Sequence, residues 1–244
     1  MRKTKIICTI GPKTESPKML EKLARAGMNI ARLNMSHGSH QSHDKVIESI
    51  KILNKKLNHP IGILLDTQGP EIRTGDIAND LHLKTDDIIS IVVRGSDNVE
   101  ESSIQINYED LMEDTNIGDT ITVDNGLINL QVLEKQDRLM KVKVIDGGLL
   151  KSKRHVNLPG IRVNLPAITE KDKRDIDFGV KRGVDFIALS FVREAEDISS
   201  LKKILGENQN GIRIVAKLED QEAITNMVEI IKASDGVMVA RGDL

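Results

Sequence analysis

Residues 29–66 read NIARLNMSHGSHQSHDKVIESIKILNKKLNHPIGILLD, and this stretch decides the fold. Asn29 to Met35 is predicted to form a strand, His40 to Leu57 a helix with one apolar face, and Ile61 to Leu65 a second strand. Two strands separated by a helix of this length are expected to pair in parallel through a right-handed crossover. The stretch therefore predicts an α/β protein with a parallel sheet.

The same alternation of strands and helices precedes and follows this stretch. Lys5 to Ile10 is a predicted strand, and Ser16-Pro17 opens a helix that ends at Gly27. After Pro166 the predicted elements are a helix from Thr169 to Gly183, a strand from Phe186 to Phe191, a helix from Ala195 to Leu205, a strand from Arg213 to Leu218, a helix from Ala223 to Ala233 and a strand from Val237 to Ala240. Thr169 and Asp172 resemble a capping box. Six strands in this rhythm indicate six of the eight steps of a (β/α)8 TIM-type barrel.

The pattern between these two parts is different. Residues 71–165 alternate apolar and polar positions with a period of two, and turn residues such as Asp124-Asn125-Gly126 separate the runs. We expect a small all-β domain inserted after the third barrel strand, so that residues 1–70 and 166–244 form a partial barrel. Roughly 150 residues are left for that barrel, whereas a complete one takes ~250. The chain is therefore expected to be a portion of a longer protein.

Composition excludes several classes of protein. The 35 basic and 37 acidic residues give a net charge of −2, which argues against a protein that coats nucleic acid. With three Phe, one Tyr and no Trp the chain has no aromatic platform for single strands. The single cysteine excludes a disulfide framework and a multi-thiolate metal site. No apolar run approaches the ~18 residues of a membrane span, and the basic start lacks a secretory pattern, so we expect a cytoplasmic protein without a membrane partner.

Polar residues gather where the predicted strands end. Arg32, Asn34 and Ser36 are spaced by two and are therefore expected to point to one face of the second strand. Asp66 and Thr67 follow the apolar run of the third strand. The carboxyl ends of barrel strands carry the active site in this fold, which favours a functional role for the set on the second strand. The alternative for that set is an edge strand with one wet face. Asp66, taken alone, is better explained by a simple turn.

The fifth strand carries the sharpest chemical signal. Lys217 and Glu219 share a face with Val215, and burying an unpaired lysine is costly. We interpret Lys217 as facing developing negative charge and Glu219 as a metal ligand, with a purely structural ion pair as the alternative. Asp243 would end the neighbouring sixth strand, and two carboxylates at that separation suit Mg²⁺. A turn opener or helix N-cap explains Asp243 equally well.

The histidines and the cysteine carry weaker signals. His37, His40 and His43 are spaced by three, but they straddle a loop and a helix start, which does not favour a metal triad. The other three histidines, His59, His82 and His155, are expected at the surface or in turns. Cys8 lies on the first strand without an adjacent base in the sequence, and we expect a small core residue there.

These motifs together resemble pyruvate kinases along nearly the whole chain. The matching stretches are KIICTIGP at 5–12, ARLNMSHG at 31–38, LDTQGPEIRT at 65–74, VNLPG at 156–160, IALSFVR at 187–193, AKLE at 216–219 and VARGDL at 239–244. Several long motifs in the same order make the resemblance specific. It implies a phosphotransferase of glycolysis that moves the phosphoryl group of phosphoenolpyruvate to ADP, giving pyruvate and ATP. It also implies a β-domain that closes as a lid after strand three.

The resemblance also implies roles for individual residues. Lys217 would stabilise charge on the transferring phosphoryl group and the enolate. The implied metal ligands and contacts are Glu219 and Asp243 for Mg²⁺ or Mn²⁺, Asn34, Ser36, Asp66 and Thr67 for K⁺, Arg32 and Arg73 for the nucleotide phosphates, and the backbone near Gly242 and Asp243 for the substrate. Glu71 is the form associated with K⁺ dependence. A complete protein of this kind is expected to be a cytoplasmic homotetramer with a C-terminal allosteric domain beyond Leu244.

The chain departs from the family pattern at a few positions. Gln68 stands where many members have lysine, Arg154-His155 where glycine commonly precedes Val-Asn, and Leu218 where isoleucine is usual. The proton-donor region of the family would lie beyond Leu244, so we expect the 244-residue chain alone to have little or no turnover. The alternative functions are another Mg²⁺-dependent barrel enzyme that handles an enolate, such as a keto-acid lyase, and an inactive fragment or interaction module.

Overall fold

The structure is a computed structural model that describes residues 3–93, 103–161, 163–219 and 221–240, apart from the side chains of 208–210. The chain divides into two compact units. The first unit comprises Met1–Pro70 and Pro166–Leu244, and the second comprises Glu71–Leu165. None of the helices in the described ranges combines the length and the apolar character that crossing a membrane requires.

The elements alternate in the first unit and are nearly all strands in the second. The strands are β1 (Ile7–Thr9), β2 (Ile30–Asn34), β3 (Gly62–Asp66), β4 (Leu81–Leu83), β5 (Ile88–Val93), β6 (Ile104–Ile106), β7 (Thr120–Val123), β8 (Ile128–Gln136), β9 (Leu139–Asp146), β10 (Gly148–Leu150), β11 (Val156–Asn157), β12 (Phe186–Leu189), β13 (Arg213–Leu218) and β14 (Gly236–Val239). The helices are α1 (Pro17–Ala26), α2 (His40–Asn54), α3 (Leu111–Asp114), α4 (Glu170–Lys181), α5 (Ala195–Leu205), α6 (Gln221–Thr225) and α7 (Met227–Ala233), with a 3₁₀ helix at Gly206–Gly211.

Six parallel strands form the sheet of the first unit, in the order β1-β2-β3-β12-β13-β14. One face of the sheet packs in an aliphatic core that includes Leu33 of β2, Leu65 of β3 and Ile187 of β12. Side chains alternate between the faces, so Arg32 and Asp66 point to the opposite face. The predicted parallel α/β sheet of six strands is confirmed.

Several predicted boundaries are confirmed because they depend on local chemistry. Ser16 caps α1 through the N–H of Met19, and Gly27 ends that helix with a φ of 111°. Thr169 and Asp172 form the expected capping box at the start of α4.

Cys8 packs against the core of the first unit, as expected for a small core residue.

One predicted helix is divided in two, and the second predicted strand is shorter than expected. The single helix predicted from Ala223 to Ala233 is two short helices, α6 and α7, with Asn226 between them. The side chain of Asn226 donates a hydrogen bond to the carbonyl of Arg193 at 2.9 Å, a contact with a distant part of the chain. Strand β2 ends at Asn34 rather than at Met35, and Ser36 lies in a turn beyond it.

The second unit contains a six-stranded sheet in the order β11-β7-β8-β9-β5-β6 and a two-stranded pair of β10 with β4. All pairs are antiparallel except β5 with β6. Its core is aliphatic apart from Tyr108, which is 1% exposed. The Tyr108 hydroxyl donates to Asp114 and accepts a hydrogen bond from the N–H of Asn164 at 2.8 Å.

Candidate functional site

Lys217 is the centre of a buried polar cluster at the carboxyl end of the first unit's sheet. Its Nζ lies 2.8 Å from Glu219 Oε1, 2.8 Å from Ser190 Oγ and 3.4 Å from Asp66 Oδ1. The lysine side chain is 10% exposed and both carboxylates are 1% exposed. Burying an ammonium group is tolerated because two carboxylates and a hydroxyl replace its water.

Strand β2 adds a second cation to this cluster. Arg32 contacts Asp66 through Nε and Nη2, and its Nη1 donates to Thr9 Oγ1 at 2.8 Å. Asp66 therefore lies between the guanidinium of Arg32 and the ammonium of Lys217. The two cations and the two carboxylates of the cluster carry no net charge, so an anion that enters would need further positive charge to balance it.

The ends of β3 and β12 are tied together by backbone and hydroxyl contacts. Ser190 Oγ donates to the carbonyl of Thr67 at 2.7 Å, and the N–H of Ser190 donates to Thr67 Oγ1 at 3.0 Å. The N–H of Phe191 donates to Glu219 Oε2 at 2.7 Å. These contacts hold Glu219 and Thr67 in fixed positions beside Lys217.

The four residues expected to hold a monovalent cation lie on neighbouring segments. Asn34 and Asp66 are register partners on β2 and β3, and Thr67 follows Asp66 directly. Ser36 does not share the strand face with Asn34, which corrects the sequence prediction. Instead its N–H donates to Asn34 Oδ1 at 3.0 Å across a turn. The amide of Asn34, the carboxylate of Asp66 and the hydroxyls of Ser36 and Thr67 are oxygen ligands of the kind that a large, weakly hydrated cation takes.

A pocket of about 400 Å³ lies against this cluster. The residues that line it are Ile7, Thr9, Arg32, Lys217, Glu219, Met238 and Ala240. Its size falls within the range of small-molecule sites, and its charged side chains all belong to the cluster around Lys217. Lys217 and Arg32 are therefore accessible from the pocket.

Glu219 satisfies part of what a divalent metal needs. Its carboxylate is buried beside the pocket, and hard oxygen ligands are what Mg²⁺ prefers. The second expected ligand, Asp243, and the expected substrate contact at Gly242 lie outside the described residues. Within the described ranges, no group of three or more His, Cys, Asp or Glu side chains is placed to hold a metal ion.

The residues predicted in the second unit form a pair of their own. Arg73 Nε donates to Glu71 Oε2 at 2.6 Å, and Nη1 donates to the carbonyl of Lys153 at 2.9 Å. The hydrogen bond to Glu71 raises the pKa of Arg73, while partial burial opposes that shift. His155 forms an isolated antiparallel bridge with Arg73, so the variant pair Arg154-His155 lies beside the arginine in the fold.

The histidines near the site have separate partners. His40 Nε2 lies 2.6 Å from Asp175 Oδ1, and its ring stacks on Phe178 with centroids 4.4 Å apart. His43 Nε2 lies 2.8 Å from the carbonyl of His37. These contacts connect α2 with α4 and with the turn after β2.

Sequence reasoning assigned no role to Ser190, Thr9 or Lys171. Ser190 contacts Lys217, and Thr9 contacts Arg32 and lines the pocket. The available signal was register, since Thr9 pairs with Arg32 on β1 and β2. Lys171 contacts the loop after β2, as described below. A serine or threonine at a strand end is too common to indicate a site without the neighbouring strand.

Comparisons with known proteins identify the family of the chain. The family model described as pyruvate kinase, barrel domain, matches residues 1–244. Proteins named pyruvate kinase from Staphylococcus epidermidis strain RP62A and Staphylococcus haemolyticus strain JCSC1435 are 50% and 49% identical to the whole chain. One from Staphylococcus aureus strain USA300 is 48% identical over the same extent. The chain spans 42% of the length of each of these relatives.

The family match and the sheet topology both test the predicted (β/α)8 barrel class. A sheet of six parallel strands with helices between them is what part of a (β/α)8 barrel contains. The description of the family model confirms the predicted barrel class. The chain belongs to the pyruvate kinase family, in the part of it that forms the barrel domain.

Proposed function

We propose that the complete protein containing this chain transfers the phosphoryl group of phosphoenolpyruvate to ADP, giving pyruvate and ATP. The observation that carries the proposal is the buried Lys217, held by Glu219 and Asp66 at the edge of a pocket. Phosphoryl transfer depends mainly on positioning and on neutralising charge. The cluster supplies two fixed cations for that purpose. Its serine, Ser190, accepts a hydrogen bond from Lys217 and donates one to the carbonyl of Thr67.

Lys217 would act on charge that develops during the reaction. When the phosphoryl group leaves phosphoenolpyruvate, negative charge moves onto the enolate oxygen and the equatorial phosphoryl oxygens. A lysine already desolvated and held by three partners needs little reorganisation to meet that charge. Arg32, which reaches the same pocket, would contact phosphate oxygens.

The neutral charge balance of the cluster supports a need for metal ions. Phosphoenolpyruvate brings a carboxylate and a phosphate, about three negative charges at neutral pH. Glu219, together with Asp243, would hold Mg²⁺ or Mn²⁺, and Asn34, Ser36, Asp66 and Thr67 would hold K⁺. When bound, these ions would supply positive charge that neutralises the charge of the substrate oxygens.

The remaining roles follow from the family and are part of the same proposal. Arg73 would contact the nucleotide phosphates, and its pairing with Glu71 keeps the guanidinium oriented. The backbone at Gly242 and Asp243 would contact the substrate. Glu71 would mark K⁺ dependence, although Gln68 departs from the usual residue next to the cation ligands. The 71–165 unit would act as the lid that limits hydrolysis.

Replacement of Lys217 by Met in the complete protein tests the proposal. We expect kcat to fall by about 10²–10³-fold with a much smaller change in KM for phosphoenolpyruvate, because Lys217 acts mainly in the transition state. Pyruvate release that depends on ADP and phosphoenolpyruvate is the measurement. The control is Lys232→Met, since Lys232 is exposed and its ion pair within the described residues is a surface pair with Glu229.

Three outcomes would contradict the proposal. A wild-type protein that releases pyruvate from phosphoenolpyruvate without ADP would indicate a phosphatase, because the phosphoryl group would then pass to water. Release of pyruvate from a keto acid without phosphoenolpyruvate would indicate a lyase. Loss of kcat and of substrate affinity to the same extent in Lys217→Met would remove the transition-state role of the lysine.

A further inference from the structure

The first turn of α4 contacts both segments that carry the proposed cation ligands. Lys171 Nζ donates to the carbonyl of Met35 at 2.7 Å, and Met35 lies between Asn34 and Ser36. Asp172 Oδ1 accepts hydrogen bonds from the N–H groups of Gln68 and Gly69, each at 3.1 Å. Those two residues directly follow Thr67. One helical turn therefore reaches the loop after β2 and the loop after β3.

Lys171 and Asn34 hold the same peptide group from opposite sides. The carbonyl of Met35 and the N–H of Ser36 belong to one planar unit, in which they point in opposite directions. Lys171 binds the carbonyl, while the N–H donates to Asn34 Oδ1 at 3.0 Å. The lysine thus restricts rotation of this peptide, and the side-chain oxygen of Asn34 takes its orientation from the peptide.

Lys171 is itself fixed by a buried acid. Its Nζ lies 2.7 Å from Asp175 Oδ2, and the Asp175 side chain is 4% exposed. The other oxygen of Asp175 lies 2.6 Å from His40 Nε2 at the start of α2. The Lys171 side chain is 41% exposed, so its amine is held by these two contacts, with the buried carboxylate of Asp175 and with the Met35 carbonyl, and not by lack of space.

Asp172 is equally constrained on the other side. Asp172 is fully buried. Its Oδ2 accepts hydrogen bonds from the N–H of Thr169 at 2.9 Å and from the Thr169 hydroxyl at 2.6 Å. The capping box therefore fixes the carboxylate, and the carboxylate fixes the backbone after Thr67. The cap of a helix also serves as the anchor of a neighbouring loop.

We propose that Lys171 and Asp172 are positioning residues for the monovalent-cation site, setting its affinity and its choice of ion through the spacing of the two loops. The inference rests on the proposed function, because it takes Asn34, Ser36, Asp66 and Thr67 as the ligands. Selectivity between ions depends on cavity size and on the flexibility of the ligands. Releasing the Met35 carbonyl would loosen one side of the cavity without removing any of the ligand residues.

The test compares Lys171→Met with Lys173→Met in the complete protein. Lys173 lies on the same helical turn, is exposed and pairs with Glu170, so it controls for loss of charge. We expect the K⁺ concentration for half-maximal activation to rise about 10-fold in Lys171→Met and to stay unchanged in Lys173→Met. We also expect the preference for K⁺ over Na⁺ to narrow, while kcat at saturating K⁺ is retained.

Binding without turnover provides the second readout. The melting temperature is measured in KCl and in tetramethylammonium chloride at equal ionic strength, since only an ion that fits the site stabilises the folded protein. The extra stabilisation by K⁺ is expected to shrink in Lys171→Met alone. If Lys171→Met does not fold, Asp175→Asn weakens the hold on Nζ and is expected to shift both readouts in the same direction, by less.

The outcomes separate this inference from the proposed function. A wild-type protein with no response to K⁺ in either measurement would reject the cation site itself. A wild-type response to K⁺ that is unchanged in Lys171→Met, or in Asp175→Asn where only that variant folds, would overturn the positioning role and leave the site intact. Equal shifts in Lys171→Met and Lys173→Met would also overturn it, because charge alone would then explain them.

Discussion

The two units of the chain differ in what they bury. In the described ranges, every buried Asp, Glu, Lys and His belongs to the first unit, whereas the buried polar residues of the second unit are Thr74, Ser90 and Thr115. Both units have aliphatic cores. The second unit can therefore be explained by packing alone, while the first maintains buried charges that packing does not require.

This difference supports placing the proposed chemistry in the first unit. Buried charges are costly unless they are paired, and proteins concentrate them at functional sites. The charged groups around Lys217 are paired, but Arg32, Lys217 and Glu219 line a pocket and are not enclosed in the apolar core. The ion-pair interpretation and the functional interpretation of Lys217 are thus compatible, because pairing is what allows a lysine to be kept at the pocket.

Removal of one carboxylate should affect the two units very differently. Glu219→Ala leaves Lys217 and Arg32 with Asp66 as the remaining acid of the cluster, so we expect the first unit to lose about 3–5 kcal/mol of unfolding free energy. Urea denaturation of the 244-residue chain followed by far-ultraviolet circular dichroism measures this, since the described helices other than α3 lie in the first unit.

The matching control uses an exposed acid. Glu229→Ala breaks a surface pair with Lys232, and we expect a change of about 0–1 kcal/mol. Tyr108, the only tyrosine in a chain without tryptophan, reports the second unit by its fluorescence. If Glu219→Ala lowers the urea midpoint of the Tyr108 fluorescence as much as that of the circular dichroism, both units are destabilised equally. That result would contradict the contrast between the units.

The phenol of Tyr108 should resist ionisation as long as the second unit is folded. Burial, followed by the hydrogen bond to Asp114, raises the pKa of Tyr108 above its ordinary value of 10.0. A raised pKa means that stability is fully present below pH 10.0 and is lost as pH rises, because the unfolded chain releases the proton first. An absorbance titration should show tyrosinate only when the unit unfolds.

Comparison with Asp114→Asn sharpens that measurement. The variant replaces the acceptor of the Tyr108 hydroxyl by a neutral amide, so ionisation should begin at lower pH than in the wild type. A wild-type titration centred near pH 10.0 in the folded protein would show that Tyr108 is solvated. That result would contradict the description of the second unit as a packed apolar core.

The smallest effect is expected at the start of β14. Burial raises the pKa of Asp235, but the N–H of Ile214 and the guanidinium of Arg213 lower it more, so it lies below its ordinary value of 3.8. Its stabilisation is therefore present above pH 3.8 and is lost as pH falls through the lower, folded value. Melting curves of wild type and Asp235→Asn should converge in acid, and a gap independent of pH would contradict this.

Much of the fold followed from local chemistry. Ser16 and Thr169 cap the starts of α1 and α4, and Gly206 caps the end of α5, where the sequence predicts, because capping depends on residues a few positions apart. The break at Asn226 was not predictable in the same way. It depends on a contact with Arg193, whose position is decided by the packing of another strand and helix.

The site was predicted unevenly for a related reason. Lys217 and Glu219 were placed together because a strand repeats every two residues, and they lie 2.8 Å apart. The pairing of Arg32 with Asp66 across two strands was not predicted, although both residues were singled out. The contact of Lys171 with Met35 joins segments far apart in the chain, and no spacing in the sequence indicates it.

The sequence by itself determined the alternation of elements, the faces of each strand and the family, since backbone geometry and motif order are local properties of the chain. Only the tertiary structure decided which charges face one another. The register of parallel strands and the seating of α4 bring Arg32 to Asp66, Lys217 to Asp66 and Glu219, and Lys171 to the loop after β2. Register and seating depend on packing across the whole core, which no short stretch of sequence contains.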